Sequence, residues 1–544
     1  MARNISSGTS YNLTITNETC YVYNSGTSVV STTVNSGGLL DVYNRAAAIS
    51  TVVNSSGTMK VSSGATATRT TVTGLISVMP TSGVLHIYTG GVANSTTLNA
   101  LGSMLISSGG MASGITANDH GKIIIYNGGS ATDIKLIEGM TYLHVSSGGT
   151  ANSTTIGGTG VESGALAVAY VSSGGTATRN VVNLRGELAI YSGGTAISNT
   201  VNSGGSITAN NGGVAYITRV SSGGLLNITY FSRGAASSAW ADSTTICNGG
   251  SMVVSNSGFA FRTTISSGGS MTLSSGGIAT NIWVTSGGNL TVSGGRANST
   301  TVSSGGKLYV SYGGVVNSTS LRGRMEVSSG GVAQNDTVDD GRLVVSSGGV
   351  AKNTTVDSFG HLEVYSGGTA LNATVNGDIT CYKGATATNT TIGYLGDMVV
   401  EGGTAASTTV NSGGSLFVDS GGTANSTTVN SGGYMKIISG GTASNTTAYN
   451  HGSMVFSSGA TGTAIKENGG YVAVRDGANV TFVSNTFSAN IWGDEATAHS
   501  GTIVSGGVIY SGGTLHLLKG GQLVSSAIVN ANGTLQVSGG LADR

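Results

Sequence analysis

The sequence is poor in charge and in cysteine, and each shortage argues against a class of protein. Only 8% of its 544 residues are charged, 23 of them basic and 23 acidic, whereas an ordinary soluble domain has about 25%. Sparse, balanced charge leaves no basic surface to neutralise phosphates, so nucleic acids and anionic membranes are not expected partners. Cys20, Cys247 and Cys381 lie far apart without metal-ligand spacing, which excludes a disulfide framework and argues against a zinc site.

Long apolar runs are also missing. No stretch of the sequence approaches the about 18 apolar residues of a membrane span, and Met1 to Ile5 lack the apolar run of a secretory signal. We therefore expect no transmembrane segment in this sequence. The hydrophobic residues, 38% of the total, are spread evenly along the chain, which argues against disorder.

What the sequence has in abundance is a short repeat rich in glycine, serine, threonine and asparagine. One clear copy occupies residues 408–426 and the next begins at Thr427, so the period is about 19 residues. A Leu-x-Val triplet such as Leu416 to Val418 predicts a short strand whose flanking residues are buried and whose middle residue faces outward. The Ser-Gly-Gly segments predict corners, where glycine supplies a positive φ or allows a close backbone approach.

Two further segments complete the predicted coil. A second strand ends in Thr-Thr-Val, as at Thr428–Val429, and a small Thr-Ala pair such as Thr423–Ala424 fills a third, narrower side. We therefore predict an all-β fold, a single-stranded parallel β-helix (β-solenoid) of right-handed type with about 19 residues per coil. Roughly 27 coils at a strand spacing of about 4.8 Å would form a rod on the order of 125 Å long.

Asparagine recurs at the corner after Thr-Thr-Val. Stacked amides there would bond one coil to the next, but asparagine also tolerates a left-handed corner, and both explanations stay open. The corner positions are Asn35, Asn54, Asn202, Asn376, Asn411 and Asn430.

The repeat breaks at residues 74–83 with Pro80, at 231–245 with Trp240 and at 479–500. Residues added between coils form loops on one face, often the binding face. We predict an N-terminal cap at 1–16, a solenoid at 17–478, an irregular insertion at 479–500 and final solenoid coils at 501–544.

The last insertion gathers Trp492, Asp494, Glu495 and His499, a candidate binding loop for a cation or a sugar ring, although a solvated loop also collects charges. Asp336, Asp339 and Asp340 cluster as well, and a β-helix hydrolase needs paired carboxylates across a groove. Neighbouring coils carry Val, Ser or Asn at the equivalent places, so no acidic groove continues. We predict no catalytic residue, no metal site and no cofactor.

The unit Val-Asn-Ser-Gly-Gly-x-Leu/Met-x-Val-x-Ser-Gly-Gly-Thr-Ala-x-x-Thr-Thr, at 410–428 and 429–447, closely resembles the repeats of AIDA-type autotransporter adhesins, and the resemblance covers roughly residues 20 to 540. It implies a passenger region that folds outside the bacterial cell and mediates adherence, autoaggregation and biofilm formation. The family's signal segment and C-terminal translocator barrel are not found in this sequence. It is therefore expected to be an excised or processed passenger, or a relative exported by another route.

The resemblance also implies a partner enzyme, a heptosyltransferase that modifies serine and threonine hydroxyls. The outward hydroxyls that it suggests as O-glycosylation sites are Thr71, Thr97, Thr301, Thr355, Thr409 and Thr428. Attached sugars would hydrate a surface that has few charges.

Together these patterns predict a non-enzymatic, extracellular surface rod. Its expected partners are host or bacterial surface glycans or proteins, or a second copy of itself, bound through weak contacts repeated along the rod. An alternative is a phage- or tailspike-like β-helix fibre that binds or cleaves glycans. A lower alternative is an ice-binding protein with regularly spaced threonines, against which Arg69, Arg179 and Lys352 interrupt the outward face.

Overall fold

The fold is that of a computed structural model, which describes residues 2–137, 139–158, 166–230 and 238–542. None of the described residues forms a helix, and none therefore forms an apolar helix of membrane-spanning length. The chain divides into unit 1, residues 1–283 with 287–289, and unit 2, residues 284–286 with 290–544. Each unit is a solenoid of parallel strands, which confirms the predicted fold class. The predicted period is confirmed too, since Ser415 pairs with Tyr434, 19 residues later.

In both units the Leu-x-Val triplets form a first sheet, and the Thr-Ala and Thr-Thr-Val segments form a second sheet. The first-sheet strands of unit 1 are Ala2–Ile5, Thr19–Val22, Leu39–Val42, Thr58–Val61, Val84–Ile87, Ser103–Ile106, Lys122–Ile125, Tyr142–Val145, Ala167–Val171, Gly186–Ile190, Ser206–Asn210, Leu225–Thr229, Ser251–Val254 and Ser270–Leu273. Its second-sheet strands are Thr9–Tyr11, Thr14–Ile15, Ser28–Val30, Thr33–Val34, Ala47–Ile49, Val52–Val53, Thr66–Thr73, Val92–Asn99, Met111–Ala117, Ser130–Leu136, Thr150–Ile156, Thr176–Thr178, Val181–Val182, Thr195–Val201, Val214–Val220, Trp240–Ile246 and Phe259–Ile265.

Strands Ile278–Val284 and Asn289–Ser293 include the residues at which the two units divide. The first-sheet strands of unit 2 are Lys307–Ser311, Arg324–Val327, Arg342–Val345, His361–Val364, Asp378–Tyr382, Asp397–Glu401, Ser415–Val418, Tyr434–Ile437, Ser453–Phe456 and Tyr471–Val474. Its second-sheet strands are Arg296–Val302, Val315–Leu321, Val332–Gln334, Thr337–Val338, Val350–Lys352, Thr355–Val356, Thr369–Leu371, Thr374–Val375, Thr386–Thr388, Thr391–Ile392, Thr404–Ala406, Thr409–Val410, Thr423–Asn425, Thr428–Val429, Thr442–Ser444, Thr447–Tyr449, Thr461–Asn468 and Asn479–Phe482.

The C-terminal part of unit 2 builds two smaller parallel sheets. One contains Asn485–Ile491, Thr502–Ile509, Gln522–Val529 and Leu541–Ala542, and the other contains Glu495–Ala498, Thr514–Leu518 and Thr534–Ser538. Phe487, Ile491, Leu515 and Leu517 are among the buried side chains of a core that these sheets share.

The pleat of each strand decides which side chains form the core. In Ser415–Val418, Leu416 and Val418 are fully buried while Phe417 is half-buried, so the predicted alternation is confirmed. Since successive side chains in a strand point to opposite faces, stacking the coils places Leu416 over Met398 and under Met435. The core of the solenoid is therefore made of columns of aliphatic side chains.

The second sheet differs from the prediction of a separate third side. The Thr-Ala and Thr-Thr-Val segments are the two halves of one bent strand, which is continuous in Val92–Asn99. The bend is a single residue with left-handed backbone, such as Ser95 with φ 57° or Ser426 with φ 57°. One residue with positive φ turns the chain without ending its pairing with the neighbouring coils, so in the described coils both segments belong to the second sheet.

The paired glycines of the corners have two different roles. Gly421 has a φ of 77°, and a Cβ atom added there would lie 3.7 Å from its nearest neighbour, the Cα atom of Gly402. A Cβ atom on Gly433 would lie only 2.6 Å from the carbonyl oxygen of Val410 in the previous coil. The first glycine supplies the left-handed backbone, whereas the second lets adjacent coils approach closely.

We expect Gly433→Ala to lower the free energy of unfolding of unit 2 by about 2 kcal/mol, because the coils must separate to make room for the methyl group. Gly421→Asn is the control, since asparagine tolerates a left-handed backbone and has space at this position. The midpoint of denaturant unfolding, followed by circular dichroism, measures both. Equal midpoints for the two variants would contradict the close-approach role.

Asparagine ladders connect the coils. At the corner, the side-chain amides of Asn54, Asn202 and Asn430 donate to the side-chain oxygens of Asn35, Asn183 and Asn411 at 2.9, 2.8 and 2.9 Å. None of these three donors has a positive φ, so the ladder explanation is confirmed at these positions. A second ladder, which sequence analysis missed, joins the bend residues Asn335, Asn353, Asn372 and Asn389 of unit 2 and ends on Asn317, which precedes a bend.

The predicted domain boundaries near residues 16, 478 and 500 fall among the described residues. Ala2–Ile5 pairs in parallel with Thr19–Val22, so residues 2–15 form a coil of their own, and their role as a cap stays a prediction. Residues 231–237 of the second break lie outside the described residues. Residues 479–500 contain one strand of the second sheet and two strands of the C-terminal sheets. The boundary near 478 stays a prediction, although the change of sheets falls close to it.

Candidate functional site

The second sheet of unit 2 presents a row of hydroxyl groups, which we name the threonine face. Its members come from the outward threonine of each Thr-Thr-Val segment and pair in register from coil to coil. Parallel strands place them about 4.8 Å apart. The threonine face consists of Thr301, Ser320, Thr337, Thr355, Thr374, Thr391, Thr409, Thr428 and Thr447.

The other threonine of each pair points inward. Thr408 and Thr427 are each 1% exposed, and within the described part of the chain their hydroxyl oxygens have no hydrogen-bond partner. Thr409 and Thr428, the next residues, are half-buried. Strand alternation therefore leaves one accessible hydroxyl in each pair.

The six predicted glycosylation sites fall into two groups. Thr355, Thr409 and Thr428 are half-buried members of the threonine face, and Thr301 is an exposed one. Thr71 and Thr97 are half-buried and pair with each other in unit 1. The same outward column of unit 1 also contains Lys135, which follows Thr116 in register. Modification of all six stays a prediction.

The four residues of the predicted binding loop do not converge on one point. Trp492 is 57% exposed and stacks on Tyr510, with ring centroids 3.4 Å apart. Asp494 pairs with His451, and Glu495 lies 3.5 Å from Nε2 of His516. The contacts of these three side chains tie the loop to neighbouring coils, and its role in binding stays a prediction.

His499, the fourth loop residue, turns towards a buried carboxylate that sequence analysis missed. Glu467 is fully buried. Its Oε1 accepts a hydrogen bond from the hydroxyl of Thr497 at 2.6 Å and lies 2.7 Å from Nδ1 of His499. Its Oε2 accepts from the backbone N–H of His499 at 2.7 Å and the hydroxyl of Thr502 at 2.8 Å. We name these four residues the Glu467 cluster.

The position of Glu467 in the repeat is the signal that could have revealed it. Glu467 stacks on Ala448, which stacks on Val429, so it occupies the inward column that usually holds valine. An acidic residue in an inward column needs buried donors, and these come from the strand and turn that begin the C-terminal sheets. The Glu467 cluster thus joins the last coils of the main sheets to the C-terminal core.

The three aspartates near residue 336 do not form a catalytic pair. Asp336 is 1% exposed and points into the core, while Oδ2 of Asp339 accepts a hydrogen bond from Nε of Arg322 at 2.6 Å. Burial raises the pKa of the Asp336 carboxyl to about 7. One carboxyl inside the core and another held by an arginine cannot flank a bound sugar as a glycosidase requires.

Another acidic group, not predicted from the sequence, lines a groove of about 280 Å³ on the first sheet of unit 2. Asp378 and Asp397 pair in register on adjacent strands, and Glu363 lies beside them. Nδ1 of His361 is 3.0 Å from Oδ2 of Asp378, and Arg342 donates to Glu363 at 2.5 Å. His361 and Arg342 therefore contact two of the three carboxylates.

The cysteines and the acidic residues do not suggest a metal centre. Cys20 and Cys381 are fully buried in the core, and burial raises the pKa of the Cys381 thiol to about 12, so it is protonated at neutral pH. Within residues 2–137, 139–158, 166–230 and 238–542, no three His, Cys, Asp or Glu side chains form a group that could hold a metal ion.

Comparison with known proteins identifies the repeat. A family model described as an adhesin of the bacterial autotransporter system, probable stalk, matches residues 273–324 and 396–433. A TibC-catalysed, hyper-glycosylated fragment of TibA of known crystal structure is 31% identical, and the match covers 61% of this chain and 98% of the fragment. Its TM-score is 0.38, so the two chains are similar in the sequence of their repeats, whereas their structures superpose poorly.

Other solved structures give no guide to activity. The PL6-family alginate lyase AlyGC is 8% identical, with a TM-score of 0.19, over 100% of this chain and 97% of the lyase. The Agl-KA catalytic domain is 12% identical, with a TM-score of 0.10. No curated protein matches the chain. The matched stalk model and the repeated coils together place this chain in the AIDA-type family of bacterial autotransporter adhesins.

Proposed function

We propose that the chain is the non-enzymatic stalk of an autotransporter passenger, displayed on the bacterial surface, with O-linked sugars on the threonine face. The observation that carries the proposal is the in-register row of nine hydroxyls from Thr301 to Thr447. A glycosyltransferase that recognises one coil meets the same geometry on the next. The similar TibA fragment is hyper-glycosylated by TibC, which supports the same class of partner enzyme here.

The composition of the surface supports this proposal. The chain has a formal net charge of zero and only 8% charged residues, and proteins with a net charge near zero tend to associate and precipitate. Sugars on the threonine face would add hydroxyl groups that water can hydrate without adding charge. They would also cover this part of the second sheet and keep other chains from stacking on it.

Modification is expected on one threonine of each pair only. In protein isolated with its glycosyltransferase, peptide mass spectrometry with electron-based fragmentation should find sugars on Thr409 and Thr428 and none on Thr408 and Thr427. The reason is access, since the first two are half-buried and the last two are 1% exposed.

The matched controls are Thr409→Val and Thr408→Val, which remove the outward and the inward hydroxyl of one coil. The intact mass should fall by one sugar residue in the first variant and stay unchanged, apart from the substitution, in the second. Sugars on Thr408, or an unmodified protein in the presence of its own glycosyltransferase, would overturn the glycosylation part of the proposal.

We propose in addition that the displayed chain mediates adhesion or self-association, and this adhesive function is tested on cells. Bacteria that display the chain should settle, aggregate or bind to host cells more than bacteria with the same translocator and an unrelated passenger. Equal aggregation and equal adherence of the two strains would show that the chain is not an adhesin.

A further inference from the structure

A groove of about 420 Å³ lies on the first sheet of unit 1, a volume in the range of small-molecule sites. The side chains that line it come from five successive coils. They are Ser82, Leu101, Ser103, His120, Lys122, Tyr142, His144 and Tyr170. At a strand spacing of about 4.8 Å, these coils span about 19 Å along the sheet, which is long enough for several linked sugar rings.

Differences in side-chain size along one outward column create the groove. Val84, Ser103, Lys122 and Tyr142 are the first residues of successive strands and pair in register. Ser103 has the smallest side chain of the four, which leaves the groove over its strand. The larger side chain of Tyr142 forms one end of the groove. Ser82, which ends the long connection at residues 74–83, lines the other end.

Aromatic rings form a fixed platform at the Tyr142 end. The rings of Tyr142 and Tyr170 are stacked with centroids 6.5 Å apart and planes 12° apart. Tyr170 also lies 4.7 Å from the ring of His144 and 6.1 Å from the ring of Tyr191. Because each ring is held by its neighbour, a ligand that contacts them does not have to order them first.

Polar groups lie beside this platform. Nδ1 of His120 is 2.9 Å from Oδ1 of Asp119. Lys122, two residues after His120, is exposed on the first sheet. Burial, with the nearby Lys122 charge, lowers the pKa of His144, so its imidazole is neutral at pH 7 and can both donate and accept a hydrogen bond. Together they provide donors and acceptors within the same groove.

We infer that this groove binds an oligosaccharide. The assignment rests on the proposed adhesive function and gives that function a ligand class and a binding site. A sugar ring has an apolar C–H face, which suits the tyrosine platform, and a rim of hydroxyls, which suits His120, His144 and Ser103. Lys122 gives a preference for a sugar with a carboxylate group.

The test uses the purified full chain produced without a glycosyltransferase and a panel of neutral and carboxylated oligosaccharides of about three to five sugars. Array binding selects the best member, and titration calorimetry measures its affinity. Tyr142→Ala and Ser103→Trp, which remove the platform and fill the groove, should each weaken binding at least about tenfold. Lys122→Gln should weaken binding of carboxylated members and leave neutral members unchanged.

Tyr43→Ala is the matched control, because Tyr43 is stacked on Tyr23 with centroids 5.4 Å apart but lies outside the groove. Ser103→Trp keeps the tyrosine stack, so a loss of binding there cannot be assigned to a collapsed platform. Binding that is unchanged in Ser103→Trp, or no binding by any panel member, would overturn the assignment.

Cell assays separate this site from the general function. If bacteria that display Ser103→Trp adhere as strongly as wild type, the groove assignment is wrong and the adhesive function stands. If wild-type bacteria do not adhere or aggregate at all, the adhesive function is wrong, and the calorimetry of the purified chain alone decides whether the groove binds saccharides.

Discussion

Glu467→Ala is expected to release the C-terminal coils of unit 2 while the coils before them stay folded. The substitution removes the acceptor of four buried or half-buried hydrogen-bond donors, two on Thr497 and Thr502 and two on His499. Each buried donor left without its acceptor costs about 1–3 kcal/mol, and together these losses are a large fraction of the about 5–15 kcal/mol that holds a domain.

Hydrogen exchange measured by mass spectrometry gives the direct readout. Amides of strands Asn485–Ile491 and Thr502–Ile509 should exchange much faster in Glu467→Ala than in wild type, and those of Ser415–Val418 at an unchanged rate. Limited proteolysis should then cut the variant near residue 484.

Two control variants make this result specific. Glu401→Ala removes an exposed carboxylate from the same unit and should change nothing. Glu467→Gln keeps the shape and one acceptor oxygen, so its effect should be intermediate. If the amides of the C-terminal strands exchange as slowly in Glu467→Ala as in wild type, these coils hold together without the Glu467 cluster.

Asp336 makes the stability of unit 2 depend on pH. Oδ1 of Asp336 accepts a hydrogen bond from the backbone N–H of Thr319 at 2.7 Å, and among the described residues Oδ2 has no partner. Burial raises the pKa from 3.8 to about 7, so the folded chain holds this proton more tightly than the unfolded chain does.

The direction of the pH effect follows from this shift. Below about pH 4 the carboxyl is protonated in both states and stability is highest. Between about pH 4 and 7 the unfolded chain releases this proton while the folded chain keeps it, so the free energy of unfolding falls by about 1.4 kcal/mol per pH unit, about 4 kcal/mol in all. Above about pH 7.5 this contribution stays constant.

Asp336→Asn is expected to stabilise unit 2 at pH 8 and to remove the slope between pH 4 and 7. A buried amide is acceptable in this column, since Asn180 and Asn199 occupy the equivalent inward positions of unit 1 and bond to each other at 2.8 Å. Denaturant midpoints between pH 4 and 8 measure the effect. Asp339→Asn, which changes a half-exposed carboxylate, should keep the wild-type slope; an unchanged slope in Asp336→Asn would contradict the assignment.

The repeat sequence is sufficient to predict the coil and its core. Leu416 and Val418 flank an outward residue, and the pleat of a strand then decides that both are buried. A ladder of corner amides, to which Asn35 and Asn411 belong, was one of two explanations that the sequence left open, because identical residues stack when the coils are parallel. These features depend only on local periodicity.

The bend in the second sheet could not be predicted because its sequence signature is weak: serine and asparagine are frequent there, but they are frequent throughout the repeat as well. The left-handed residue at this position is Ser426 in one coil, Arg262 in another and even the β-branched Ile217 in a third. Stacking against the coils on either side holds these residues in a conformation that none of them prefers alone. A prediction based on glycine alone places the turns of the chain only at the corners.

The individual sites were missed for a different reason. Glu467 and Asp336 are single acidic residues in inward columns, and they become visible only when every coil is aligned column by column. The saccharide groove depends on Ser103 and Tyr142 lying two coils apart in one column, a relation between coils that no single repeat contains.

The pairing of coils in unit 2 has a mechanical consequence. Strand Ser415–Val418 pairs with Asp397–Glu401 of the coil before it and with Tyr434–Ile437 of the coil after it. A pulling force that reaches the end of such a stack breaks the pairing of the last coil first and then proceeds one coil at a time. Each step lengthens the chain by 19 residues, about 65 Å when extended, so a cell tethered through these coils in flowing liquid would be slowed gradually and not torn away at once.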